Sequence, residues 1–317
     1  MSRLSTVLTM SEERLAPANG IEIAYQEVGD PAGAPLLLVM GLATQMLGWD
    51  EELCGALAEC GFRVVRFDNR DIGHSTMLDS AGVPSRRDLF LGRRASAAYL
   101  LSDMAADAIG LMDHLEIDSA HVVGVSMGGM IGQTLAIEHP ERIRSLVSIM
   151  STTGSRRVGT PTLRAFGVML AQAPRTREGY LERAVKTFTT IGSPAYPPDP
   201  ERLREVAGRM YDRSHNPRGI LRQMHAISAS GNRTPALRKL RLPATVIHGT
   251  RDPLVRPSGG RATARAIPGA RLRMIEGMGH DLPRELWDVF VDDITDTAAH
   301  AGFSPLGDAR KISPIGA

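Results

Sequence analysis

His121-Val-Val-Gly-Val-Ser126-Met-Gly-Gly-Met-Ile-Gly-Gln-Thr-Leu-Ala136 runs from an apolar stretch into a helical pattern, with a serine at the join. Its pentapeptide Gly124-Val-Ser126-Met-Gly128 has the form G-x-S-x-G, which alone means little in a chain with 32 glycines. The setting makes it informative. A serine on a sharp strand-to-helix turn stands exposed above a sheet, and small residues two before and two after are needed where backbone and strand approach too closely for side chains. The helix starting there also aims backbone N–H groups and the positive end of its dipole at any oxyanion that forms. Ser126 is therefore read as a nucleophile.

On either side, short apolar runs bounded by turn residues recur at Leu36–Met40, Arg63–Phe67, His121–Val125, Ser145–Met150, Ala244–His248 and Arg271–Ile275. Helical patterns at Trp49–Cys60, Ala97–Leu115, Met130–His139 and Gly259–Ile267 fall between most of them. Strands alternating with helices mark an α/β chain with a mostly parallel sheet and helices on both faces. Ile21–Val28 alternates at period two after Asn19-Gly20 and reads as half of an antiparallel hairpin at the sheet edge, giving about eight strands.

From Met150 to Ala244 no buried strand is evident. Pro161–Ala171, Arg177–Thr190, Pro200–Arg213 and Gly219–Ala229 read as helices, broken by Ser193-Pro-Ala-Tyr-Pro-Pro-Asp-Pro200. We read residues 151–240 as a helical lid inserted into an α/β core formed by residues 1–150 and 241–299, with a flexible tail over 300–317. Phe166, Met169, Leu170, Phe188, Met210, Tyr211 and Met224 are lid candidates for lining a substrate pocket, although such apolar stripes more often only pack a helix onto its neighbours.

A serine hydroxyl needs a base, and the base needs an acid to fix its tautomer. In the order Ser, Asp, His, two further loops answer. Gly249-Thr-Arg-Asp252-Pro-Leu-Val255 follows one late strand, and Glu276-Gly-Met-Gly-His280-Asp-Leu-Pro283 follows the next. Both emerge at the sheet edge that carries the serine turn. Asp252 and His280 are the expected partners of Ser126. Of the other histidines, His74, His114, His121, His139 and His248 sit in or beside regular elements and read as structural, and His215 and His225 belong to the lid, where contact with substrate is an alternative to the simpler reading of solvated surface. The polar loop Asp68–Ser75 reads as structural support, with Arg70 not catalytic.

Composition narrows the partners. Thirty-seven Lys+Arg against 35 Asp+Glu leave +2, too little for the field of a nucleic-acid binder. Hydrophobic residues at 43% and charged residues at 23% suit a globular chain. No run of 18 apolar residues and no signal-peptide stretch occurs. Cys54 and Cys60, six apart on one helix, point to different sides and read as free thiols in a reducing cytoplasm. No metal-ligand spacing or nucleotide-cradling loop calls for a cofactor.

Leu36-Leu-Leu-Val-Met-Gly-Leu42, Phe67-Asp-Asn-Arg-Asp-Ile-Gly-His-Ser75, Gly124-Val-Ser-Met-Gly-Gly129 and Gly277-Met-Gly-His280 occur in the order of the lidded α/β-hydrolase superfamily, which the chain resembles from Asn19 to about Val291. Within it, the chain is similar to the branch of aclacinomycin methylesterase-like carboxylesterases. The resemblance implies an eight-stranded α/β-hydrolase fold and an oxyanion hole made by the backbone N–H groups of Leu42 and Met127, with Gly41 beside the pocket. Most family members have His-Gly where Met40-Gly41 stands here, which removes a side chain that steadies this loop. The expected activity is hydrolysis of a small-molecule carboxylic ester. A cofactor-free perhydrolase or haloperoxidase, a proline-iminopeptidase-like hydrolase and a hydrolase-like binding protein are the alternatives. Carbon–carbon bond hydrolases often place tryptophan after the histidine, where Asp281 stands here.

Overall fold

The computed structural model describes residues 9–171 and 174–306, with the side chain of Leu170 also outside the description. The chain begins with a hairpin of β1 (Arg14–Ala18) and β2 (Ile21–Val28). Asn19 and Gly20 both take positive φ, 49° and 79°, the two-residue turn whose twist matches paired strands. Then follow β3 (Ala34–Val39), α1 (Glu51–Glu59), β4 (Phe62–Phe67), α2 (Arg86–Leu91), α3 (Leu101–His114), β5 (Ala120–Val125), α4 (Met127–Glu138) and β6 (Ile143–Ile149). The inserted lid carries α5 (Leu163–Leu170), α6 (Arg177–Ile191), α7 (Pro200–Arg213) and α8 (Pro217–Ser230), and α9 (Thr234–Leu237) leads back. β7 (Ala244–Gly249), α10 (Ser258–Ala266), β8 (Arg271–Ile275) and α11 (Trp287–Ala299) complete the body.

The eight strands form one sheet in the order β1-β2-β4-β3-β5-β6-β7-β8. Among the described residues, only the pairings β1 with β2 and β2 with β4 are antiparallel. Period-two alternation divides the core. Leu37, Val39, Val65 and Val122 face α3 and α4, and Leu36, Leu38, Val64 and Val123 face α1 and α11. Burial of strands on both faces explains why their sequences read as continuous apolar runs.

Two helical boundaries differ from expectation by three residues or more. The helix expected from Ala97 starts at Leu101, because the Asp103 carboxylate accepts the Leu100 N–H at 2.7 Å and closes the helix end there. The helix expected from Met130 starts at Met127, directly after the serine. α2, α9 and α11 are not among the helices expected from the sequence. α11 buries Phe290, Val291, Ile294 and Ala298 against the sheet.

Of the tail expected over 300–317, residues 307–317 lie outside the description, as do residues 1–8 of the N-terminal stretch. The described part is docked: Phe303 stacks on Phe62 at 4.2 Å and meets His121 edge-on, and the Leu306 N–H donates to the Cys60 carbonyl. Burial there pushes the His121 imidazole down to about 4, with the nearby Arg144 cation adding to the effect. The ring sits 2.8 Å from the Ser145 hydroxyl. A histidine held neutral in the fold but free to protonate near 6.5 when unfolded supports the fold fully above 6.5 and progressively less as pH falls toward 4. The urea midpoint is expected to drop across that window, and to drop less in His121→Asn; an equal drop in the variant excludes the imidazole as a cause.

The loop after β4 fastens the lid. Asp68 pairs with Arg213 of α7 at 2.6 Å, and Asp71 pairs with Arg222 of α8 at 2.6 and 2.7 Å. Tyr99 donates a further bond to Asp71. The Asp71 and Arg222 side chains are both shielded from solvent. Removing one member of such a pair strands the other, so Asp71→Asn is expected to cost about 3–5 kcal/mol in a denaturant titration. A change below about 1 kcal/mol would show that the exposed Asp79, 3.0 Å from Arg222, suffices as its partner.

Candidate active site

β3 continues to β4 on one side, and the chain then returns to place β5 on the other. The crevice beyond the carboxyl ends of β3 and β5 is therefore the switch point of the sheet, where loops diverge and leave room for a ligand. The Gly41-Leu42 turn leaves β3 there and Ser126 leaves β5.

Ser126 has φ 55° and ψ −114°, a conformation L-residues rarely adopt. Tight packing maintains it. A β-carbon on Gly124 would collide with the Gly128 carbonyl, and one on Gly128 with the carbonyls of Val39 and Met40. The Ser126 N–H donates to the Ile149 carbonyl, and its own carbonyl accepts from the Ser151 hydroxyl at 2.8 Å. The steric requirement read from the pentapeptide is thus visible atom by atom.

The structure brings Ser126, His280 and Asp252 together. Ser126 Oγ lies 3.0 Å from His280 Nε2, and His280 Nδ1 lies 2.7 Å from Asp252 Oδ2. Asp252 Oδ1 accepts the N–H groups of Leu254 and Val255 at 2.9 and 2.8 Å, which fixes the carboxylate plane. A second histidine, His248, sits under this acid with Nε2 3.5 Å from Asp252 Oδ2 and 2.7 Å from the Val255 carbonyl. Burial lowers the pKa of His248, outweighing the attraction of Asp252. A neutral ring donating from Nε2 to Val255 fits that environment.

The histidine loop rests on the lid. The His280 N–H donates to the Ile191 carbonyl at 2.7 Å, where α6 ends. Two residues on, the Ser193 hydroxyl accepts the Gly279 N–H at 2.8 Å and donates to Asp281 Oδ1 at 2.5 Å. Burial raises the pKa of Asp281 and the Ser193 bonds oppose that rise. Neither Ser193 nor Asp281 was read as part of the site, because the fold alone brings residues 88 positions apart into contact.

Gly41 lies close to Ser126: a β-carbon on it would stand 3.2 Å from the Val125 carbonyl oxygen and 3.3 Å from the Ser126 β-carbon. Among the described residues, neither the Leu42 N–H nor the Met127 N–H has an acceptor, so both are free to receive a ligand oxygen. Two other pocket candidates are placed less suggestively. Met210 is buried, with its carbonyl taken by Gln45, and Phe166 is 46% exposed on the outside of α5. Met224 is half-buried on α8. Tyr211 packs with Tyr180 and His215 as an aromatic cluster between α6 and α7, so its ring serves the interior of the lid. His225, read as surface, is buried instead, and neither ring nitrogen has a partner among the described residues.

The α/β-hydrolase fold family profile matches residues 34–283. Rhodomycin D methylesterase DnrP of Streptomyces peucetius is 30% identical over 291 residues, covering 85% of this chain and 92% of that one. A putative non-heme bromoperoxidase, BpoC of Mycobacterium tuberculosis, is 26% identical over 271 residues, covering 82% and 91%. The crystal structure of the enol-lactonase from Burkholderia xenovorans LB400 superimposes with a TM-score of 0.69 at 27% identity, covering 90% of this chain and all of that one.

Proposed function

The chain belongs to the α/β-hydrolase fold family, and from that premise we propose that it hydrolyses carboxylic esters through an acyl-enzyme on Ser126. The observation carrying this reading is the hydrogen-bonded series Ser126, His280, Asp252. His280 Nε2 takes the hydroxyl proton as Ser126 Oγ attacks the ester carbonyl, and Asp252 holds the opposite ring nitrogen protonated and steadies the imidazolium. The N–H groups of Leu42 and Met127 receive the negative oxygen of the tetrahedral intermediate. His280 then returns the proton to the departing alcohol, and water, deprotonated by the same nitrogen, releases the acid.

Likeness to a methylesterase along most of both chains supports an ester with a small alcohol part. A reducing cytoplasm is proposed as the setting, on the two unbridged and buried thiols Cys54 and Cys60; among the described residues no helix is long and apolar enough to cross a membrane. The test is labelling by a fluorophosphonate probe together with turnover of an ester panel that includes a methyl ester of a bulky aromatic acid. An adduct at Ser126 with ester turnover is expected. No adduct would favour a hydrolase-like binding protein. The bromoperoxidase relative supports a second reading, peroxide-dependent halogenation. Bromination of monochlorodimedone that requires both peroxide and acetate would favour it.

A further inference from the structure

The turn Met40–Ala43 carries Leu42 N–H to the crevice, and it is pinned at both ends by carboxamides from elsewhere in the chain. At its start, Asn69 Nδ2 donates to the Met40 carbonyl at 3.0 Å. At its end, Gln223 Oε1 accepts the Ala43 N–H at 3.1 Å, and Gln223 Nε2 donates to the Arg70 carbonyl at 2.9 Å. Only one orientation of the amide satisfies both partners, since oxygen must face the N–H and nitrogen the carbonyl. Gln223 is fully buried. Ala43 holds φ at 61°, so the turn stays in a strained shape that needs such support. Arg222, the residue before Gln223, is locked to Asp71, so the carboxamide comes from a fixed stretch of helix.

We propose that Gln223 is a positioning residue for the oxyanion hole, and that through it lid helix α8 sets the direction of the Leu42 N–H. This rests on the reading that Leu42 and Met127 stabilise the oxyanion. The support for the Ala43 end of this turn comes from the lid. The lid is thus part of the catalytic frame as well as a cover, and α8 cannot shift without moving an oxyanion donor.

The experiment compares wild type, Gln223→Met and Gln223→Glu in ester turnover, in inhibition by a trifluoromethyl ketone and in thermal melting. The ketone forms a tetrahedral adduct and so reports on the oxyanion hole. Gln223→Met keeps the length and bulk but loses both bonds. It is expected to lower kcat about 10- to 100-fold with KM within about twofold, part of the loss seen when an oxyanion donor is removed outright. The ketone inhibition constant should rise in parallel with the loss in kcat/KM. In Gln223→Glu, a protonated carboxyl reproduces both bonds, whereas a carboxylate cannot donate to the Arg70 carbonyl. Its activity relative to wild type should therefore fall as pH rises from 6 to 9. If Gln223→Met does not melt cooperatively, this pH-dependent ratio decides alone. A lowered melting temperature with unchanged kcat and ketone inhibition, a loss confined to KM, or a flat pH ratio would overturn the proposal. Failure of the wild type itself to turn over any ester overturns the underlying reading, and is recognised without any variant.

Discussion

Ser126→Ala is expected to lower kcat for a short p-nitrophenyl ester by about five to six orders of magnitude while leaving the fold intact. The size follows from what the hydroxyl does. Without Oγ no acyl-enzyme forms, and the remaining donors and binding contacts can only assist direct attack by water, a residue of about 10³–10⁴ over the uncatalysed reaction. Stability should change little, because the elbow depends on backbone. Ser126 is held through its N–H to Ile149 and its carbonyl from Ser151, and the glycines beside it exclude side chains; none of this needs Oγ. Release of the strained φ of 55° is not available to alanine any more than to serine. The check is steady-state turnover alongside circular dichroism and melting. Turnover within tenfold of wild type would mean that the reaction does not pass through this serine.

The strands, and the meeting of Ser126, Asp252 and His280, are legible because their signals are local. Most strands are apolar runs closed by turn residues, and each of the three residues follows the carboxyl end of a strand. The parallel sheet does the rest by bringing those ends to one edge. What was not legible depends on pairs distant in sequence. Gln223 and Ala43 are 180 residues apart, and Ser193 and Asp281 are 88 apart. No spacing rule marks a glutamine on a lid helix as the partner of a backbone N–H on a β-strand loop. Asp68–Ser75 was read as support for its surroundings, and it is so in a wider sense, since Asp68 and Asp71 carry the arginines of two lid helices. His225 shows the opposite difficulty. On α8 its neighbours Arg222, Gln223 and Ala226 are all buried, and the polar residue types hid that this stretch faces the interior. Lid residues suggested by bulk alone fared unevenly for the same reason: with helix facing unknown, Phe166 and Met210 looked alike, but one is half exposed and the other buried.

Asp252→Asn is expected to lower kcat about 10⁴-fold with little change in KM, and the hydrogen bonds around the carboxylate explain why so slight a change should matter so much. Asp252 Oδ1 accepts two backbone N–H groups, from Leu254 and Val255, and Oδ2 faces His280 Nδ1 at 2.7 Å. An asparagine in this place must keep its carbonyl oxygen on the two N–H donors, because turning its NH₂ toward them would oppose donor to donor and leave buried groups unsatisfied. The NH₂ is then directed at His280 Nδ1. That nitrogen becomes an acceptor, the ring proton moves to Nε2, and Nε2 can no longer accept the proton of Ser126 Oγ 3.0 Å away. The variant thus keeps each atom near its place and reverses the polarity of the relay. Neither His248, 3.5 Å from the acid, nor any rearrangement of the Val255 turn offers a substitute, since His248 already donates to the Val255 carbonyl. Steady-state kinetics, with proton NMR of the ring N–H signals to identify the tautomer, provides the check. A loss of tenfold or less would mean that Asp252 only anchors its loop and that His280 is oriented by other groups, foremost the bond of its own N–H to Ile191.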